Sequence, residues 1–134
     1  MRQVQSGARN LMRWPWDTGE VIDYYGSNPI GFGMFDGKGR RMIIMIASGT
    51  SEPKTDADYA ALFKRVGAYT GRFDLNSNRM VTKVDAAVMP SWIGTEQPRF
   101  LKLDGNRLTI STAEQEVHQF PGRRMIATLV FERE

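Results

Sequence analysis

Arg99 is the residue whose type and position most invite a chemical reading. It shares strand parity with Gln97, Leu101 and Leu103. If the two leucines face a core, side-chain alternation turns the guanidinium inward with them. A charge on an apolar face is costly unless something pairs with it, and the fixed fork of arginine matches a carboxylate or phosphate. Arg99 is therefore a candidate anion anchor near one rim. The competing roles are a structural pair with a buried acid or carbonyls, or exposure at a strand end. Tyr69, Thr82 and Gln97 fall on the same inward parity. Small-molecule sites set a few such polar groups into apolar walls, although each group also suits a satisfied core position. Trp92 lies in a loop beside Gly94 and would either lid a cavity or cap a core. The expected apolar lining is Phe32, Met34, Phe73, Val84, Ile110, Leu129 and Phe131. The eight methionines suit irregular contents.

Other chemistries find little support. The chain has no cysteine, which excludes disulfides, thiolate catalysis and Cys-ligated metals. The single histidine, His118, sits in a polar loop without a serine or aspartate at a recognisable spacing, and reads as a surface residue. One histidine and no cysteine argue against a transition-metal site, so no metal and no cofactor is expected. Asp56 and Asp58 are explained by helix capping. Gly31-Phe32-Gly33 lies inside a strand and lacks the helix that a phosphate-cradling loop requires. Lys83 and Asp85 fall on the outward parity.

The net charge is +3, with 13 arginines against 5 lysines. Such a balance can attract nucleic acid or acidic lipid. Here the basic residues are scattered, and the pairs Arg40-Arg41 and Arg123-Arg124 stand at expected turn-to-strand junctions as solvated strand ends. No nucleic-acid or membrane partner is expected. No apolar run approaches the roughly 20 residues that span a bilayer. The N-terminal MRQVQSGARNLMRWPW lacks the apolar stretch of a signal peptide, and the chain reads as cytoplasmic. Its 134 residues make one domain, 1–134, large enough to hold a core without staples.

The positioning elements are mostly strands. Residues 7–14 form a weak first strand, interrupted by Trp14-Pro15-Trp16-Asp17-Thr18-Gly19. Ile30 to Phe35 is a strand in which Gly31 and Gly33 alternate with Phe32 and Met34. Asp36-Gly37-Lys38-Gly39 is a hairpin turn. Arg41 to Ala47 is apolar on both faces, so something should cover it from outside. Thr55-x-x-Asp58 is a capping box that opens a helix near 56–67. Its stripe of Tyr59, Leu62, Phe63 and Val66 would lie against the barrel or across its open end. Further strands follow. Met80, Thr82, Val84, Ala86 and Val88 share one face, Leu108 and Ile110 another, and Met125, Ala127, Leu129 and Phe131 the last. Single-faced strands joined by tight turns must curl or stack. The expected fold is all-β, an eight-stranded antiparallel up-and-down barrel with one short helix after the third strand. A β-sandwich is the alternative.

The chain resembles the bacterial and fungal lipocalin-like domain proteins, relatives of the calycin barrels. The resemblance rests on Tyr25-Gly26-x-Asn28-Pro29-x-Gly31, Asp36-Gly37, Tyr69-x-Gly71-x-Phe73 and Pro90-x-Trp92-x-Gly94-Thr95-x-Gln97-x-Arg99. Leu103-Asp104-Gly105-x-Arg107-Leu108 and Phe131-Glu132-Arg133 complete it. The Trp-x-Gly-Thr-x-Gln-x-Arg piece is the most specific. The resemblance implies a lipocalin-like barrel with a central apolar cavity and no settled activity. Members usually open with Gly-x-Trp, whose ring plugs the closed end. Here Gly7-Ala8-Arg9 stands there, with Trp14 or Trp16 as substitutes from a shifted position. Members often carry a histidine where this chain has Thr82.

Three functions fit. The first is binding of a small, largely apolar molecule, with an acidic or polar end near Arg99. The second is a non-redox enzyme, an isomerase or cyclase acting on a secondary metabolite, with Tyr69 and Arg99 polarising an oxygen. The third is a filled core whose outer face pairs two subunits. The expected partner is a small hydrophobic molecule, and the chain would be a monomer or a homodimer.

Overall fold

Alternation of apolar and polar residues dominates the chain from residue 66 onward, and strands form where it runs. The structure, a computed structural model, describes residues 2–5, 11–13, 21–22, 25–26, 29–117 and 120–133. The strands in chain order are β1 (Arg2–Gln5), β2 (Leu11–Arg13), β3 (Val21–Ile22), β4 (Ile30–Phe35), β5 (Arg40–Ile46), β6 (Val66–Asn76), β7 (Arg79–Ala87), β8 (Glu96–Asp104), β9 (Arg107–Thr112), β10 (Gln115–Val117) and β11 (Phe120–Arg133). One helix, α1 (Asp56–Phe63), lies between β5 and β6.

The run β4-β5-β6-β7-β8-β9-β11 is antiparallel throughout and forms a nearly closed barrel. These seven strands are the ones of six residues or more, one fewer than the eight expected, and the helix follows the second of them rather than the third. The difference lies at the N-terminus. Of the expected first strand at 7–14, only Leu11–Arg13 is described as a strand, and it pairs along β11 at Ile126 to Thr128. The short β1 instead pairs with β4 on one side and β11 on the other, bridging the two ends of the run. The Trp14–Gly19 break, the plug candidates Trp14 and Trp16, Gly7-Ala8-Arg9, Asn28 and His118 lie outside the described residues.

Antiparallel pairing places directly opposite residues on one side of the sheet, so the register fixes the inner face. Arg41, Ile43, Met45 and Ala47 on and just beyond β5, Tyr69 on β6, Met80, Thr82 and Val84 on β7, Arg99 on β8, Ile110 on β9 and Met125, Leu129 and Phe131 on β11 are buried. This matches the expected parity on β6, β7, β8, β9 and β11 until the register shift at Thr70/Gly71. A Cβ on Gly71 would overlap the Lys83 carbonyl, so the strands come this close only because that residue is glycine. Past the shift, Ala87 packs on the core and Ala86 is exposed, the reverse of the expected alternation.

The helix departs further from expectation. Its capping box is present: the Asp58 amide donates to Thr55 Oγ1 at 3.1 Å, and the Thr55 amide donates to Asp58 Oδ2 at 3.2 Å. It ends at Phe63, because Val66 already pairs with Ile46 as the first residue of β6. None of its residues is buried, and Tyr59 and Phe63 are exposed. A backbone bond from the Ala47 amide to the Arg65 carbonyl (3.0 Å) and a side-chain bond from the Arg65 guanidinium to the Ser48 carbonyl (2.6 Å) tie the loop at the strand ends. The helix therefore does not cover the outer face of β5, where Met42 and Ile44 are exposed beside Ile30 of β4. No helix among the described residues is long and apolar enough to cross a membrane.

Candidate ligand site in the barrel

The connection from β7 to β8 builds the first part of the site. Pro90–Trp92 makes one turn of 3-10 helix, and Gly94 follows at φ +84°, a conformation that side chains disfavour. This bends the chain so that the Gly94 amide donates to the Val84 carbonyl at 2.8 Å. The Thr95 hydroxyl donates to the Trp92 carbonyl at 2.6 Å and accepts from Gln97 Nε2 at 2.9 Å. Gln97 Oε1 in turn accepts from Arg99 Nη2 at 3.2 Å, while Arg99 Nη1 donates to the Pro98 carbonyl at 2.7 Å. The Trp-x-Gly-Thr-x-Gln-x-Arg spacing is thus a hydrogen-bond relay, running from the turn to a guanidinium that is 7% exposed.

Tyr69 lies between this relay and β5. Trp92 meets its ring edge-on, with centroids 5.9 Å apart and planes at 84°. The Arg99 guanidinium carbon lies 5.9 Å from the ring centroid, and that of Arg41 lies 5.1 Å from it. Arg41 is 1% exposed. Its Nη1 donates to Thr82 Oγ1 at 3.3 Å, its guanidinium carbon is 5.7 Å from the Phe35 ring centroid, and its Nε is buried with no hydrogen-bond partner among the described residues. Burial holds the Arg41 guanidinium below the usual arginine range; the Tyr69 side chain opposes this and the neighbouring Arg99 adds to it. Among the described residues, neither interior arginine is paired with a carboxylate, whereas Arg40, Arg107 and Arg124 pair with Asp85, Glu132 and Glu114 respectively.

A cavity of about 580 Å³ opens at the end of the barrel that carries the β4–β5, β6–β7 and β8–β9 turns. Its walls are mainly apolar, with Phe35, Phe73, Met80, Leu101 and Leu108 prominent, and Asn78 and Asn106 at its polar edge. Phe35 and Phe73 meet edge to face at 5.8 Å. Phe35 also carries Arg41, and Met80 is the cross-strand neighbour of Arg99. The cavity and the two arginines thus share Phe35 and Met80 as their common wall.

A family model described as lipocalin-like domain matches residues 7–134. The chain belongs to the lipocalin-like domain family. It is also similar to a 4'-hydroxy-3'-methoxypropiophenone carrier protein of Aspergillus oryzae (strain ATCC 42149 / RIB 40), with 32% identity over 66 residues. The match covers 43% of this chain and 60% of that protein, so the chain spans under two thirds of the length of that relative.

Within the lipocalin-like barrel, the residues singled out in the sequence divide into four groups. Arg99, Gln97, Tyr69, Thr82 and Trp92 come together, joined by the contacts above. Arg99 is nonetheless enclosed rather than at a rim, and the cavity opens at the end away from Trp92. Phe73 lines the cavity, and Val84 and Phe131 belong to the buried core cluster. Phe32 and Met34 are corrections: they pair with Ile44 and Met42 on the outer face, and Gly31 and Gly33 face in. The reason lies on β11. A Cβ at Gly33 would already reach the Phe131 ring at 3.9 Å, and Phe131 is fully buried in the space a larger residue would need.

Arg41 is the residue that sequence reading missed. It was expected to be a solvated strand end beside Arg40. The structure sends Arg40 outward to Asp85 at 2.7 Å and Arg41 inward. The signal was its parity with Ile43, Met45 and Ala47.

Proposed function

We propose that this lipocalin-like barrel binds a small, largely apolar molecule in its interior, with an acidic or polar end toward Arg99. The observation that carries this reading is the cavity of about 580 Å³, whose volume and mostly apolar walls suit a small organic ligand. The carrier protein it resembles adds support. That relative is named for an aromatic ketone bearing oxygen substituents, and such a compound combines an apolar body with polar ends. The reading calls for no nucleic-acid or membrane partner.

The test is titration with a neutral fluorescent probe, N-phenyl-1-naphthylamine, followed by displacement with 4'-hydroxy-3'-methoxypropiophenone. Saturable binding near one probe per chain, reversed by the competitor, is expected. Fluorescence that rises without saturating would remove the reading.

A further inference from the structure

The charge balance of the interior carries a more specific conclusion, which deepens the binding reading above and rests on it. We propose that Arg41 and Arg99 together form an anion site inside the barrel, taking the carboxylate of an organic acid whose apolar body occupies the adjoining cavity.

Two guanidiniums face one tyrosine ring, at 5.1 and 5.9 Å. Both are buried, at 1% and 7% exposure. Arginine keeps its proton in proteins, so the pair brings two like charges into a region where even one is costly unless compensated. Their partners among the described residues are neutral: the Thr82 hydroxyl, the Pro98 carbonyl, the Gln97 amide and two aromatic faces. Among the described residues, Arg41 Nε has nothing to donate to. On the outside of the same barrel, Arg40, Arg107 and Arg124 each have a carboxylate within 3.1 Å. A carboxylate arriving from the cavity side would receive charge-assisted, fork-matched hydrogen bonds, the strongest kind available to it. Phe35 and Met80 join the cavity to the two arginines, so an apolar body and a charged head fit one molecule.

Thr82 contributes by holding Arg41 Nη1 without matching its charge. An aspartate there would neutralise Arg41 from within the protein and close the site.

The experiment compares decanoate with decan-1-ol by calorimetric titration of the wild type, Arg41→Met, Arg99→Met and Arg41→Lys. The wild type should take decanoate at least about 30-fold more tightly than the alcohol, the scale expected when a buried charge pair loses one member. Both methionine variants should bring decanoate down to the level of the alcohol. Arg41→Lys should fall between, since it keeps the charge and loses the fork. Equal binding of the two probes by the wild type, or a preference that survives both methionine variants, overturns the proposal. If neither probe binds, the cavity reading has failed and benzoate decides the anion site by itself. A melting temperature that benzoate raises in the wild type and not in Arg41→Met or Arg99→Met supports it. Equal response of all three overturns it. Should Arg41→Met fail to fold, Arg99→Met carries the same readouts.

Discussion

Arg41 and Arg99, 58 positions apart in the chain, converge on the ring of Tyr69 from strands β5 and β8. The ring gives each cation a negative face where no carboxylate is described. It also packs Trp92 on its edge, so one side chain supports both guanidiniums and the β7–β8 connection. Removing it should cost more than its area. Tyr69→Leu is expected to destabilise the fold by about 2–4 kcal/mol. Tyr69→Phe keeps the ring and should cost about 1 kcal/mol for the lost hydroxyl. Urea denaturation ranks the two, and a leucine variant no worse than the phenylalanine variant would remove the ring from this role.

The relay from Trp92 to Arg99 depends on a backbone conformation as well as on side chains. Gly94 stands at φ +84° with open space where a Cβ would go, so any penalty there is conformational rather than steric. Gly94→Ala should cost about 1–2 kcal/mol, and Gly94→Asn less, since asparagine tolerates this region better. Thr95→Val, which removes both the donor to Trp92 and the acceptor for Gln97, should cost about 1–3 kcal/mol. Chemical denaturation measures all three. An alanine variant as stable as wild type would mean that the turn relaxes out of its positive φ.

These contacts show why parts of the site were legible and others were not. Away from the register shift at Thr70/Gly71, the strands β6, β7 and β8 alternate, so parity alone put Tyr69, Thr82, Gln97 and Arg99 on one face. The motif spacing then tied Trp92 to them. Parity misled on β4, where one face offers Gly31 and Gly33 before Phe35 and the other offers Phe32 and Met34. Large apolar residues ordinarily face inward, but Phe131 from β11 fills that space, a long-range fact that local pattern does not carry. The Arg40-Arg41 pair follows a turn, where charge ordinarily means solvent. Alternation nonetheless requires adjacent residues to face opposite sides, and the strand turned the unexpected one inward. The capping box of the helix was legible, yet Tyr59 and Phe63 of its apolar stripe stay exposed, and hydrogen bonds at Ala47 and Ser48 hold the loop at the strand ends.

Gly71 offers a sharper steric test than Gly94. Its missing Cβ is occupied by the Lys83 backbone, which cannot swing aside as a side chain would. Gly71→Ala should therefore cost about 2 kcal/mol or more and disturb the pairing of β6 with β7. Amide exchange would rise with it at Val88, whose amide donates to the Ala68 carbonyl across the two strands. A variant with native exchange and native stability would show that the two strands can separate freely.

Acid should weaken the outer surface in a predictable direction. The Arg40 guanidinium, 2.7 Å from Asp85, holds that carboxyl below its ordinary value of 3.8. Backbone amides of Arg40 and Lys38 do the same for Asp36, and those of Lys54 and Thr55 for Asp58. A carboxyl lowered in the folded state contributes stability that is fully present above its unfolded value. That contribution is lost as pH falls through the lower folded value. The melting temperature should hold above pH 3.8 as far as these groups control it, and decline below. Asp85→Asn should make that decline shallower. An identical acid limb in wild type and Asp85→Asn would show that the exposed pair with Arg40 adds nothing to stability.

The cavity itself can be tested by filling it. Leu101 and Leu108 lie on neighbouring strands β8 and β9 and both line it. Replacing both with tryptophan adds bulk where empty space exists, so the fold should absorb the change better than a packed core would, at a cost below the roughly 1–3 kcal/mol typical of overpacking. A ligand that must bury most of its surface cannot share that space. The affinity of the double variant for N-phenyl-1-naphthylamine should fall by at least about 10-fold, equivalent to about 1.4 kcal/mol. Binding that persists at wild-type strength would place the probe elsewhere. A large loss of stability would instead mean that Leu101 and Leu108 face a close-packed interior, contrary to the volume between them.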